Sequence, residues 1–285
     1  MVLTHTAARE GKLLGFLRGE LQLSSSLVKR LKWQNAFLVG GVCVHTDHKV
    51  LPGDVITVVL DEQAPEFPPQ EGKLEILYED DALIAIDKPA GLLMHPSFYR
   101  NEGTLANFLL GYYQKTKQPC AVHPVSRLDR DTFGVVLLAK NAHIHGQMME
   151  QLKEKAFQKT YHALVFGHPP SEGLWQFPIA RCPGESLLRE VRPDGQPAVT
   201  QYRLLEQTQN TAKLELCPVT GRTHQLRVHC AYAGFPILGD RQYGSEASLA
   251  AASYDHQQLC AVKIRFPHPV SAEILTIESR QGVCL

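Results

Sequence analysis

Two stretches of this chain crowd charged side chains at the edge of apolar runs. Arg127-Leu128-Asp129-Arg130-Asp131-Thr132 leads through Phe133-Gly134 into the apolar residues 135–139. Thr220-Gly-Arg222-Thr-His224-Gln-Leu226-Arg227-Val-His229 alternates polar and apolar types at short spacing. Placing charges at the mouth of a core is costly unless they pair with one another or with a ligand. A carboxylate in a half-dry pocket tends to take up a proton, and a neighbouring guanidinium opposes that. An ionised carboxylate kept in this way can serve as a nucleophile. On the hexapeptide alone, an N-cap aspartate with a surface ion pair accounts for the pattern equally well. Arg227 alone reads as a helix-surface ion pair.

Four motifs in order narrow the choice. They are Asp87-Lys-Pro-Ala-Gly-Leu92, the Asp129 segment, Lys159-Thr-Tyr161-His-Ala-Leu-Val-Phe-Gly167, and the Arg222–Arg227 segment, which Pro236-Ile-Leu-Gly-Asp-Arg241 follows. Together they resemble the RluA family of RNA pseudouridine synthases, whose usual signature is His-Arg-Leu-Asp-x-x-Thr-Ser/Thr-Gly. The resemblance spans nearly all of residues 74–270. Three positions depart from the pattern. Ser126 stands for the usual His, Phe133 for the usual Ser/Thr, and Leu259-Cys260-Ala261 for the common Leu-His-Ala.

The resemblance implies roles. Asp129 falls on the family's nucleophile, Arg227 on the arginine that pairs with it, and Tyr161 on the tyrosine that lies against the target base. Arg127 is expected to help hold the extruded nucleotide or its gap. Arg222 is expected on phosphate, and Leu128 and Leu226 in the pocket wall. Turning uridine into pseudouridine needs neither redox chemistry nor an energy source, so no cofactor is implied. Attack at the anomeric carbon and attack at carbon 6 of the ring both remain open.

These residues need a scaffold. The pattern predicts strands over 74–78, 82–87, 159–166, 200–206, 212–216 and 259–266. Helices are predicted over 104–113, 142–155 and 222–233, the last stopping at Gly234. Neighbouring strands with helices between them read as α+β, a mixed and mainly antiparallel sheet with a cleft across its middle. In front lies a smaller unit. Residues 13–21 have helical spacing, and a serine cap at Ser24 or Ser25 opens a second helix through Lys29, Arg30 and Lys32. Val39-Gly40-Gly41-Val42 has hairpin chemistry. Two basic helices before a hairpin resemble the alpha-L RNA-binding domain, with Lys29, Arg30 and Lys32 as its RNA contacts. A solvated basic face is the bland reading of the same residues. The expected division is 1–60 for this module, 61–72 for a proline-rich acidic linker, and 73–285 for the catalytic body.

Composition narrows the class further. The 285 residues carry zero net charge, and 44% of them are hydrophobic. Residues 1–60 nonetheless hold seven Lys/Arg against four acids, so a neutral total hides a basic region. No apolar stretch approaches bilayer length, and the start lacks a signal peptide's apolar region, which implies a cytoplasmic location. Seven cysteines without a Cys-x-x-Cys pair fit reduced thiols. His224 and His229 are five apart, His143 and His145 lack nearby acids, and Cys120 with His123 finds no second pair, so no metal is expected. The expectation is a monomeric RNA pseudouridine synthase whose partner is RNA. Large-subunit ribosomal RNA comes first as substrate and transfer RNA second. The rivals are a noncatalytic RNA-binding or ribosome-assembly protein on the same fold, and a carboxylate-pair hydrolase using Asp131.

Overall fold

The computed structural model describes residues 2–60, 67–97, 100–118, 121–184, 187–251 and 254–285. Its main sheet has ten strands. Eight run in the order Glu172–Trp175, Thr200–Gln207, Thr211–Pro218, Gln158–Phe166, Leu259–Pro267, Phe133–Ala139, Leu83–Lys88 and Ile76–Glu79. His123–Pro124 pairs with Phe133–Ala139, and Ile274–Glu278 with Leu259–Pro267. Every pairing is antiparallel except that between Phe133–Ala139 and Leu259–Pro267. The fold is therefore α+β, on a mixed and mainly antiparallel sheet. Phe133–Ala139 and Leu83–Lys88 are buried along their whole length. Burial on both faces explains why they read as unbroken apolar runs rather than alternating ones.

The helices form where capping and spacing direct them. Thr104 caps Leu105–Lys115 through a reciprocal capping box with Asn107. Asn141 caps Ala142–Lys153. Leu105, Leu109, Tyr113, Ile144 and Met148 carry these two helices into the main core. The third helix is shorter than its periodicity suggests, running over Gln225–Tyr232 rather than 222–233. Its N-cap, His224, has a left-handed backbone at φ 57°, so the helix starts three residues later than expected. The Gln225 side chain accepts from the Arg222 amide and the Thr220 hydroxyl, tying the preceding residues into a turn. Gly234 closes the helix at φ +88°, as its position predicts.

The N-terminal residues close a core of their own around Leu13, Phe16, Leu17, Leu31, Phe37, Ile56 and Val58. Ser24 caps Ser25–Lys32 by accepting from the Leu27 amide. Phe37–Val39 and Val42–Cys43 form a hairpin in which Gly40 and Gly41 both take positive φ, as a type I′ turn requires. A strand that the sequence pattern misses, Val2–Thr6, pairs with Val55–Val59 and completes a four-stranded sheet. Of the expected linker, residues 61–66 lie outside the described residues. Its second half is docked rather than loose. Pro68 O accepts from Asn107 Nδ2 at 2.8 Å, and a Cβ at Gly111 would sit 2.1 Å from Gln70 O.

Candidate active site

The turn bearing Asp129 is tied down at several points. Lys88 is fully buried, and its ammonium donates to the carbonyls of Pro89, Leu92 and Arg130 at 2.8–2.9 Å. Three acceptors match three N–H bonds, which keeps the group satisfied without water. Burial pulls Lys88 down to about 8, against the opposing charges of Asp131 and Asp129. Thr132 closes the turn by donating its amide to Asp129 O, and its hydroxyl accepts from Gln257. Gly134 then enters the sheet at φ +105°, where a Cβ would lie 2.3 Å from Ala261 O. Only glycine lets the two strands meet there.

Ala261 carries the geometry across the sheet. It pairs with Gly134 on one side and with Tyr161 on the other. The register slips between Thr160 and Tyr161, a bulge that re-aims the tyrosine side chain. Tyr161 is buried, and its phenol is pushed up chiefly by burial and secondarily by the charge of Asp129. Through Ala261 the Tyr161 strand joins the strand that carries the Asp129 turn, and Tyr161, Leu128 and Leu226 belong to one core.

From the helix, Arg227 reaches Asp129 with Nη1 to Oδ2 at 3.4 Å. Its tighter partner is Asp240. Nε and Nη2 donate to the two carboxylate oxygens at 2.7 Å each, and Nη2 also reaches Gln242 Oε1 at 2.8 Å. Arg227 and Asp240 are 6% and 1% exposed, so this is a buried fork rather than a helix-surface pair. Burial pulls the guanidinium's affinity for its proton down, and Asp240 with Asp129 reverses the effect and raises it. Nothing in the sequence pattern marks Asp240 as the partner of Arg227, although it stands in the Pro236–Arg241 motif.

His224 also flanks the carboxylate. Its Nε2 lies 4.0 Å from Asp129 Oδ1, and its Nδ1 lies 2.7 Å from the Tyr243 hydroxyl. The Arg189 amide donates to that same hydroxyl oxygen at 2.9 Å. The His224–Tyr243 contact joins the imidazole to the phenol, with the donor set by the tautomer. Burial lowers His224, keeping the imidazole neutral. The Tyr243 ring completes the arrangement, with the Arg227 guanidinium 4.8 Å from its centroid.

The remaining expected residues fall in several places. Arg127 is exposed beyond Asp129; after burial, its charge is the next influence lowering His95. Arg222 is exposed, with Nε held by Pro197 O at 3.1 Å. Asp131 is taken by Arg130 at 2.9 Å and does not form a pair with Asp129. Lys29, Arg30 and Lys32 lie on the N-terminal helix, outside this site. His229 is a core residue, with Nε2 on Phe177 O and Nδ1 on Thr200, both at 3.0 Å. Of the departing positions, Phe133 packs with Leu164, Leu238 and Cys260 in a separate small core, and Ser126 is buried. Cys120 lies outside the described residues. Among the described residues no group of three or more His, Cys, Asp or Glu side chains is placed to hold a metal, and no helix is long and apolar enough to cross a membrane.

Comparison with known proteins gives this geometry a context. The family model described as RNA pseudouridylate synthase matches residues 82–232. Ribosomal large subunit pseudouridine synthase D of Escherichia coli (strain K12) is 36% identical over 249 residues, covering 84% of this chain and 76% of that one. Its namesake from Haemophilus ducreyi is 33% identical over 291 residues, covering 96% and 90%. An uncharacterized RNA pseudouridine synthase of Bacillus subtilis is 34% identical, covering 94% of this chain and 88% of its own. Among solved structures, human RNA pseudouridylate synthase domain containing 4 superposes with a TM-score of 0.58 at 28% identity, covering 72% of this chain and 87% of that one.

Proposed function

The chain belongs to the RluA family of RNA pseudouridine synthases, and from that premise we propose that it isomerises uridines in large-subunit ribosomal RNA with Asp129 as nucleophile. The observation that carries the reading is the setting of Asp129. Its half-exposed carboxylate has Arg227 on one oxygen and His224 near the other, with the Tyr161 phenol in the same site. Two relatives are named for large-subunit ribosomal RNA, which favours that RNA over transfer RNA.

The chemistry follows from the residues. Asp129 attacks the anomeric carbon or carbon 6 of the ring, and the nitrogen–carbon glycosidic bond breaks with its electron pair leaving on uracil. The base turns within the pocket. Carbon 5 bonds to the anomeric carbon, Asp129 is released as a carboxylate, carbon 5 loses its proton and nitrogen 1 gains one. Arg227 limits the cost of holding the carboxylate in a partly dry site, and Asp240 fixes the angle from which it does so. Burial makes a phenolate at Tyr161 costly, so it meets the base as a neutral phenol. It can stack on the ring and relay the carbon 5 proton. Arg127 holds the nucleotide beside the flipped base. Residues 1–60 act as an alpha-L-type RNA-binding module, with Lys29, Arg30 and Lys32 on phosphate.

The test is to incubate the protein with unmodified ribosomal and transfer RNA transcripts and quantify pseudouridine by nucleoside mass spectrometry. Product in large-subunit RNA is expected. Product in transfer RNA alone would move the substrate class. Released uracil without pseudouridine would favour a hydrolase, and no change in any RNA would favour a noncatalytic role.

A further inference from the structure

Beside the Asp129 site lies a pocket lined by four arginines among neutral residues. Arg181, Arg189 and Arg192 reach it from the hairpin Ile179–Arg181 and Arg189–Val191 with its following turn; Arg222 and Thr223 come from the loop before helix Gln225–Tyr232. Among the described residues Asp194 is the one carboxylate in the lining. That carboxylate is spoken for. It holds Arg192 through both oxygens, and Glu190 stands 3.5 Å from the same guanidinium. Arg189 and Arg222 are held differently. Arg189 Nη1 donates to the carbonyls of Leu187 and Leu188 at 2.9 and 3.0 Å, and Arg222 Nε to Pro197 O at 3.1 Å. Among the described residues no carboxylate pairs with either, and carbonyl oxygens fix a guanidinium in place without compensating its charge. Two oriented, unneutralised guanidiniums in one recess suit a phosphodiester better than a stacked base.

The pocket is built rigidly. Ile179 and Gln196 exchange both backbone hydrogen bonds, and a Cβ at Gly195 would meet the Ile179 backbone at 2.6 Å. On the opposite wall, buried Gln225 accepts from the Arg222 amide and donates to Val199 O and Thr200 at 3.0 Å. The pocket is also coupled to the reaction centre. The Arg189 amide, the His224 ring and the Arg227 guanidinium all converge on Tyr243, and His224 and Arg227 both face Asp129.

We propose that this recess binds the backbone phosphate of a nucleotide neighbouring the target uridine, with Arg189 and Arg222 as its ligands. Arg192, already neutralised by Asp194, contributes less. The proposal rests on the RNA synthase reading above and adds the place where the strand is gripped. A seated phosphate would load Arg189, and through Tyr243 and His224 it would steady the nucleophile.

The test measures binding of a fluorescein-labelled large-subunit ribosomal RNA transcript across a salt series, with pseudouridine formation followed on the same preparations. Arg189→Ala and Arg222→Ala are each expected to weaken binding about tenfold, the worth of one charge-assisted contact. Each should also reduce the slope of log affinity against log salt by about 0.7–0.9. Arg192→Ala should move both quantities less, and Arg189→Lys should restore the slope. Equal weakening by Ala and Lys at position 189 with an unchanged slope would mark a structural role and overturn the proposal. Wild-type affinity and slope in Arg189→Ala and Arg222→Ala would overturn it too. A wild-type protein that makes no pseudouridine defeats the synthase reading instead, so the two failures are distinct.

Discussion

Arg227 beside Asp129 and Lys29 on helix Ser25–Lys32 carry the same charge in opposite settings. Arg227 is 6% exposed, grips Asp240 through two 2.7 Å hydrogen bonds, and touches Asp129 and the Tyr243 ring. Lys29 and Lys32 are exposed, and among the described residues no carboxylate pairs with them. A buried charge must be fully partnered, so its position is fixed before substrate arrives. An exposed charge is screened by salt and costs little to leave unpaired, so it stays available for a mobile polyanion. The charge beside Asp129 is therefore held in a fixed geometry, and the charges on Ser25–Lys32 are left accessible to solvent.

Breaking the buried fork should have the largest effect on stability. Asp240→Asn leaves Arg227 charged and underpartnered in the core, and should cost about 3–5 kcal/mol in urea unfolding. A loss under about 1 kcal/mol would mean that the fork is as weak as a surface pair.

Lys88 sharpens the same contrast through pH. Its value in the folded protein, about 8, lies below that of an unfolded lysine. Between those two values the unfolded chain binds a proton that the folded chain does not, so stability rises with pH across that window. Lys88→Met lacks the titrating group, so the wild type should gain stability on the variant between about pH 8 and 10. Parallel profiles would show that Lys88 titrates like an exposed lysine.

The surface charges should behave in the reverse manner. Changing Lys29, Arg30 and Lys32 together to Ala should leave unfolding within about 1 kcal/mol of wild type, yet weaken RNA binding and flatten its salt dependence by about 0.7–0.9 per lost phosphate contact. An unchanged salt slope would remove this helix from the RNA interface. The smallest effect is expected at the exposed Arg130–Asp131 pair, where Asp131→Asn should cost less than about 1 kcal/mol.

Local signals are legible in the sequence: Gly234 stops its helix where a C-terminal cap is expected. The grouping of Asp129, Tyr161 and Arg227 comes from the family resemblance, not from any local pattern. Asp240 was not expected, because nothing in the chain's periodicity says that a carboxylate thirteen residues beyond Arg227 will fold back onto it. His224 stands out in the sequence only as half of a His224/His229 pair whose five-residue spacing does not suit a metal. Its left-handed backbone, which delays the start of the expected helix and places the ring near Asp129, carries no pattern in a sequence. The hairpin that builds the arginine pocket was missed too, since its strands span three residues each and lack apolar alternation. Val2–Thr6 owes its strand to pairing with Val55–Val59, a distant partner.

The central claim is that Asp129 is the nucleophile, and Asp129→Asn tests it most directly. The variant, confirmed as folded by its unfolding curve, would be incubated with the RNA that the wild type converts, and pseudouridine would be counted by nucleoside mass spectrometry. The account predicts a loss of about 10³-fold or more. Undiminished pseudouridine from Asp129→Asn would contradict it.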